Sequence, residues 1–240
     1  MCFLRKIFLR ALFFLFLFFL QKNSNAQVRN QETLVWSDLT LLYNFNDKVS
    51  YVGDAGLRYN LDTHLSVLFI RPTILWKMNR NLNATAGLAY FYPLDKSISN
   101  ISDVRIFQSL ELIWPRYKGF ALHHRVLLEE RWFYEDGSNT NFKIRSRYRF
   151  SVNSPHYALF GERKSNYNHI AVEFLGMLDT NNIPPLLNRR RYLFTYGHEL
   201  SKSIALELHY QLHGLQDKLV QGFELKDSIF RISVKLKLNT

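Results

Sequence analysis

The chain has 240 residues, with 31 Lys+Arg against 20 Asp+Glu and a single cysteine, Cys2. One thiol excludes a disulfide-stapled scaffold and a thiolate metal site. The basic surplus names no partner by itself, since it suits anionic ligands, lipopolysaccharide phosphates, a pore lining or a solvated face equally well.

Residues 1–26 read as a cleaved secretory signal peptide. Arg5, Lys6 and Arg10 precede an apolar stretch from Ala11 to Gln21, and Ser24-Asn25-Ala26 places small residues at a cleavage site before Gln27. The stretch is too short and wrongly flanked for a spanning helix. Cleavage removes Cys2 and four basic residues, leaving 27 Lys+Arg against 20 Asp+Glu and no thiol for nucleophilic chemistry. Arg, Lys, Asp or Glu interrupts every later apolar run. A mature chain (27–240) seated in a membrane would therefore cross it with strands. No Pro/Ser/Gly-rich linker divides residues 27–240, so one domain is expected.

Period-two alternation then recurs along the chain. Val49, Tyr51, Leu57 and Tyr59 share one face, with Ser50, Asp54, Arg58 and Asn60 on the other. Phe142, Ile144, Tyr148 and Phe150 oppose Lys143, Arg145, Arg147 and Arg149, and Phe230 to Leu238 oppose Arg231, Ser233, Lys235 and Lys237 in the same way. Strands are predicted at 33–45, 49–60, 65–77, 81–93, 102–114, 120–134, 140–152, 168–178, 189–200, 203–213 and 228–238. Most meet the about nine to eleven residues that a tilted strand needs to cross a bilayer, and exceed the about five or six usual in soluble sandwiches.

The expected fold is all-β, an antiparallel transmembrane barrel. Bacterial single-chain barrels have an even strand number, so the eleven candidates become about twelve, with Tyr157–Arg163 as the missing strand, or ten if a weak segment is a loop. Long links are expected at 93–101, 179–188 and 214–227. Trp36, Tyr43, Tyr59, Trp76, Tyr90, Tyr92, Trp114, Trp132, Tyr134 and Tyr192 lie near segment ends and suit aromatic girdles at headgroup level. The soluble alternative, a periplasmic β protein with its charged face in water, stays open at this stage.

Three features taken together, the early Trp36 strand, the central hairpin His123 to Trp132 followed by Arg145-Ser146-Arg147-Tyr148-Arg149, and Asn188-Arg189 opening a late strand, give the chain a likeness. It resembles small, uncharacterised outer-membrane β-barrel proteins of Gram-negative bacteria, of the domain-of-unknown-function type. The resemblance implies a cell outer-membrane location and no established activity.

Asp136-Gly137 marks the tip of the central hairpin, so same-face residues pair where their numbers sum to about 274 or 276. Glu129 then lies opposite Arg145 or Arg147, on a face shared with Arg125, Arg131, Lys143 and Arg149. By parity, Arg58, Arg71, Arg105, Glu111, Glu173, Arg191, Glu199, Glu207 and His209 also turn inward. Mixed charges on several strands point to a narrow, salt-bridged interior, with an anion-binding or anion-selective lumen as the functional counterpart. The rival class is an outer-membrane lipid-modifying hydrolase using Ser109 or Ser146 with one of His123, His124, His198, His209 or His213, although no Gly-x-Ser-x-Gly elbow is present. His123-His124 splits across two faces, and His209 with His213 lacks further ligands, so no metal or other cofactor is expected. Expected partners are outer-membrane lipid, lipopolysaccharide and small anions around a monomer, with nucleic acid excluded by compartment.

Overall fold

Apolar and polar residues alternate over twelve strand segments in the computed structural model, which describes residues 31–136, 138–159, 164–178, 189–216 and 223–239. The segment read as an export signal lies outside them. The segments are β1 (Glu32–Asn44), β2 (Val49–Asn60), β3 (Ser66–Arg71), β4 (Thr73–Lys77), β5 (Leu82–Pro93), β6 (Ile101–Ile113), β7 (Ala121–Glu135), β8 (Ser138–Asn153), β9 (Asn166–Met177), β10 (Arg189–Glu199), β11 (Ile204–Gln216) and β12 (Phe223–Leu238). β3 and β4 occupy one place in the wall, since both pair with β2 on one side and β5 on the other. Pro72 separates them because it has no N–H for the ladder, and its carbonyl accepts from the Leu88 N–H at 3.1 Å.

Eleven strand positions thus form a closed barrel, mostly antiparallel. Of the expected twelfth strand at Tyr157–Arg163, Tyr157 makes an isolated bridge to Asn166 and residues 158–159 are not in a strand, while residues 160–163 lie outside the described set. The even count rests on first and last strands meeting antiparallel. Here β1 pairs with β12 in parallel, from Glu32↔Asp227 to Tyr43↔Leu238, and a parallel seam is what an odd number of up-and-down strands requires. The first strand therefore begins at one rim and the last strand ends at the other. We refer to the rim where β1 begins as the entry rim.

The link expected at 214–227 is shorter than that. β11 runs to Gln216 and β12 starts at Phe223, with the register shifting between His213 and Gly214. His213 faces Asp227 and Gly214 faces Leu225, so Lys226 is the extra residue of a bulge. A second shift, between Phe133 and Tyr134, sits beside the β7–β8 tip, where Asp136 takes a positive φ of 48°.

The two faces of the wall differ in kind. Outward side chains are large and apolar along the strands, with Val126 58% exposed, Leu88 54%, Ile170 53% and Phe230 52%. Inward side chains are buried and largely charged or hydroxylic, including Asp38, Asp54, Asp103, Glu129, Glu173, Glu207 and Ser233. One inward patch is apolar: Phe69, Ala89, Phe91, Phe107 and Leu127 cluster inside β3, β5, β6 and β7, with Phe69 and Phe91 stacked at 5.6 Å. Trp36, expected in a girdle, instead turns into the barrel, where the Arg58 guanidinium lies 4.2 Å from its ring centre. Its strand carries Leu39, Leu41 and Leu42 in near succession, so the alternation there is too weak to orient the indole.

Candidate functional site

The interior is organised around four carboxylates, each set by strand parity opposite or diagonal to arginines. On the β7–β8 hairpin the pairs are Arg125↔Arg149, Glu129↔Arg145 and Arg131↔Lys143. This register brings three cations to Glu129: Arg145 and Arg147 at 2.5 and 2.7 Å, and Arg105 at 3.8 Å. Glu173, on β9, is wholly buried at 0% exposure. It receives Arg149 and Arg191 at 2.9 Å, with Arg125 and Arg147 at 3.8 Å. Arg147 thus bridges the two carboxylates. Asp103 holds Arg105 at 2.5 Å and, in a shorter contact, Arg131. Asp38 accepts from Arg231 Nε at 2.5 Å and from the Ser233 hydroxyl at 2.7 Å.

The remaining predicted residues occupy the ends of this network. Arg71 donates from Nε and Nη2 to Asp54 at 2.7 and 2.5 Å. Glu111 faces His123 at 3.3 Å, Glu199 accepts from Lys237 at 2.9 Å, and Lys143 lies 5.7 Å from the Phe133 ring. Glu207 accepts from Lys235 at 2.8 Å and from the Tyr167 hydroxyl at 2.7 Å. The Tyr167 ring reaches Glu207 by crossing Gly197, where an added Cβ would lie 2.2 Å from ring carbon. Arg58 stands apart from the carboxylates, in contact with aromatic rings.

Asp38, Asp54, Asp103 and Arg231 complete the network and are absent from the sequence-derived set. Each shares parity with a residue in that set on its own or a paired strand, as Asp103 does with Arg105. That shared parity was the available signal.

The catalytic candidates are not brought together. Ser109 bonds the Thr85 hydroxyl at 2.6 Å inside the barrel, whereas Ser146 faces outward toward the Gly176 carbonyl at 3.5 Å. The histidines bond elsewhere: His124 to Tyr148 at 2.6 Å, His198 to Asn166 at 2.8 Å and His209 to Thr195 at 2.8 Å. His123 turns inward to Glu111 while its neighbour His124 turns outward.

The arrangement can do two things chemically. Asp38, Asp103, Glu129 and Glu173 are each engaged by guanidinium donors in a low-exposure setting, which fixes register and fills space. The interior also carries more Arg and Lys than Asp and Glu, so its residual field attracts anions.

An uncharacterized protein of Methylorubrum extorquens is 26% identical over 126 residues, covering 52% of this chain. The match spans about half that relative's length, at 54%. Residues 33–218, which run from the second residue of β1 past the end of β11, match the family described as Protein of unknown function (DUF2490), and the chain belongs to that family.

Proposed function

We propose that the protein is a non-catalytic outer-membrane β-barrel whose cation-rich interior binds small anions, its middle being closed by the arginine–carboxylate network. The observation that carries this reading is the inversion of the wall, with a mainly apolar outer face around a charged interior. A soluble barrel places its apolar side chains inward, while a lipid-embedded one turns them out. Leaving residues such as Val126, Leu88 and Phe230 in water around the whole circumference would expose far more contiguous apolar surface than monomeric soluble proteins tolerate. Trp76 and Trp114 toward one rim, and Tyr59, Tyr90 and Trp132 toward the other, fit interfacial girdles.

The test is fractionation combined with gel migration. The expressed full chain should fractionate with outer membrane and run faster unheated than boiled, and it should give no steady open-channel conductance in planar bilayers. A water-soluble protein with unshifted migration would overturn the membrane reading, and stepwise porin-like currents would overturn the closed middle.

Glu130 supplies a sharper discrimination. It is outward, opposite Ile106 and Ile144 and two residues from the middle of β7. In lipid a carboxylate at that depth is unfavourable, so Glu130→Leu should stabilise the barrel by about 1–2 kcal/mol in reversible urea unfolding from vesicles. In water the same change at a surface site would stay within about 0.5 kcal/mol.

A further inference from the structure

Among the inward arginines Arg58 is distinctive, because none of the described residues offers it a carboxylate. Its guanidinium carbon lies 4.2, 4.5 and 4.7 Å from the ring centres of Trp36, Phe91 and Phe69. These rings hold the planar cation by their faces, and its Nε–H meets no acceptor. Two buried donors here have no protein acceptor, Arg58 Nε and Trp36 Nε1. Both residues line a cavity of about 350 Å³ at the entry rim. The cavity also meets Asp103, but Arg105 and Arg131 already engage that carboxylate. The rest of the lining is mainly apolar, including Leu34, Val67, Pro93 and Phe133.

We infer that this cavity is a binding site for a small amphipathic carboxylate. The acid group would accept from the Arg58 guanidinium, and an aliphatic or aromatic body would lie against the apolar walls. An anion there pairs a buried guanidinium that meets no carboxylate among the described residues. A hydrated inorganic ion would match the donors but not the walls. A neutral hydrophobe would match the walls but leave the donors unmet. The volume has room for about a dozen water-sized groups, which fits an acid with a single ring or a short chain. The inference rests on the anion-binding reading above and specifies its ligand class and place.

The experiment is titration of the refolded full chain in detergent with 3-phenylpropionate, followed by calorimetry and by tryptophan fluorescence. Saturable one-to-one binding is expected, at least ten-fold tighter than for 3-phenylpropanol and not displaced by equimolar phosphate. Arg58→Gln should weaken binding ten-fold or more. Arg58→Lys, which keeps the charge but loses the planar fork, should weaken it about five-fold. Trp36→Phe should abolish the fluorescence change while calorimetry still shows saturable binding. Retained heat-modifiable migration identifies the variants that fold, and the wild-type comparison of acid with alcohol needs no variant. Absence of binding, equal affinity for acid and alcohol, displacement by phosphate, or unchanged affinity in a folded Arg58→Gln variant would each overturn the site. None of these outcomes bears on membrane location, which fractionation tests separately.

Discussion

Glu173→Gln should destabilise the barrel by about 3–5 kcal/mol, the largest effect expected of any single neutral substitution in the network. The carboxylate is fully buried and surrounded by Arg125, Arg147, Arg149 and Arg191. Its two oxygens accept from Arg149 Nε and Nη2 and from Arg191 Nη1. Glutamine preserves shape and one acceptor but removes the negative charge, leaving four guanidiniums to repel one another at close range. The penalty arises mainly from the unpaired cations, so a second change should recover part of it. Glu173→Gln combined with Arg149→Met should be more stable than Glu173→Gln alone, and a double-mutant cycle in urea would give the coupling directly. A loss below about 0.5 kcal/mol for the single variant would show that lumenal solvent already screens the cluster.

Asp38→Asn should cost about 3 kcal/mol and act at a definite place, the seam between β1 and β12. Asp38 accepts from Nε and Nη2 of Arg231 and from the Ser233 hydroxyl, so one buried side chain on the first strand binds two on the last. Asp54 stands 3.9 Å from Arg231 and offers it a partial alternative, which holds the loss below that of Glu173→Gln. Hydrogen exchange should then report faster opening of β1 and β12 amides while those of β7 and β8 keep their protection. Equal acceleration in both regions would place Asp38 in a global rather than a seam role.

The segment pattern was readable because almost every strand contrasts a lipophilic face with a charged or small one, as Phe142 to Phe150 against Lys143 to Arg149 does. Parity also indicated the inward charges, and the Asp136 turn with a two-residue period was enough to set Glu129 against Arg145. Reading failed where contrast or period failed. In β1, Leu39, Leu41 and Leu42 blur the two faces, so neither the inward turn of Trp36 nor the role of Asp38 stood out. Across β12 the extra residue Lys226 breaks the alternation, so the predicted strand starts at 228 and the strand's first residues fall within the expected link. The number of strands was misread for a different reason. How the first and last strands meet is a property of the closed ring, and no local window contains it. The site around Arg58 was unreadable as well, since it depends on which arginine lacks a carboxylate once the other inward arginines are paired.

The parallel seam also limits how this chain could be rearranged. In a barrel with an even number of strands, the first and last strands reach the same rim and a short peptide could join them, opening the ring elsewhere without loss. Here Gln31 and Asn239 lie at opposite rims. A joining segment would have to cover on the order of 30 Å along a tilted strand's length, either through the occupied interior or across the apolar outside. Circular permutation by a short linker is therefore closed to this barrel, and reporters fused beyond β1 and beyond β12 would occupy two different aqueous compartments if the wall sits in a membrane.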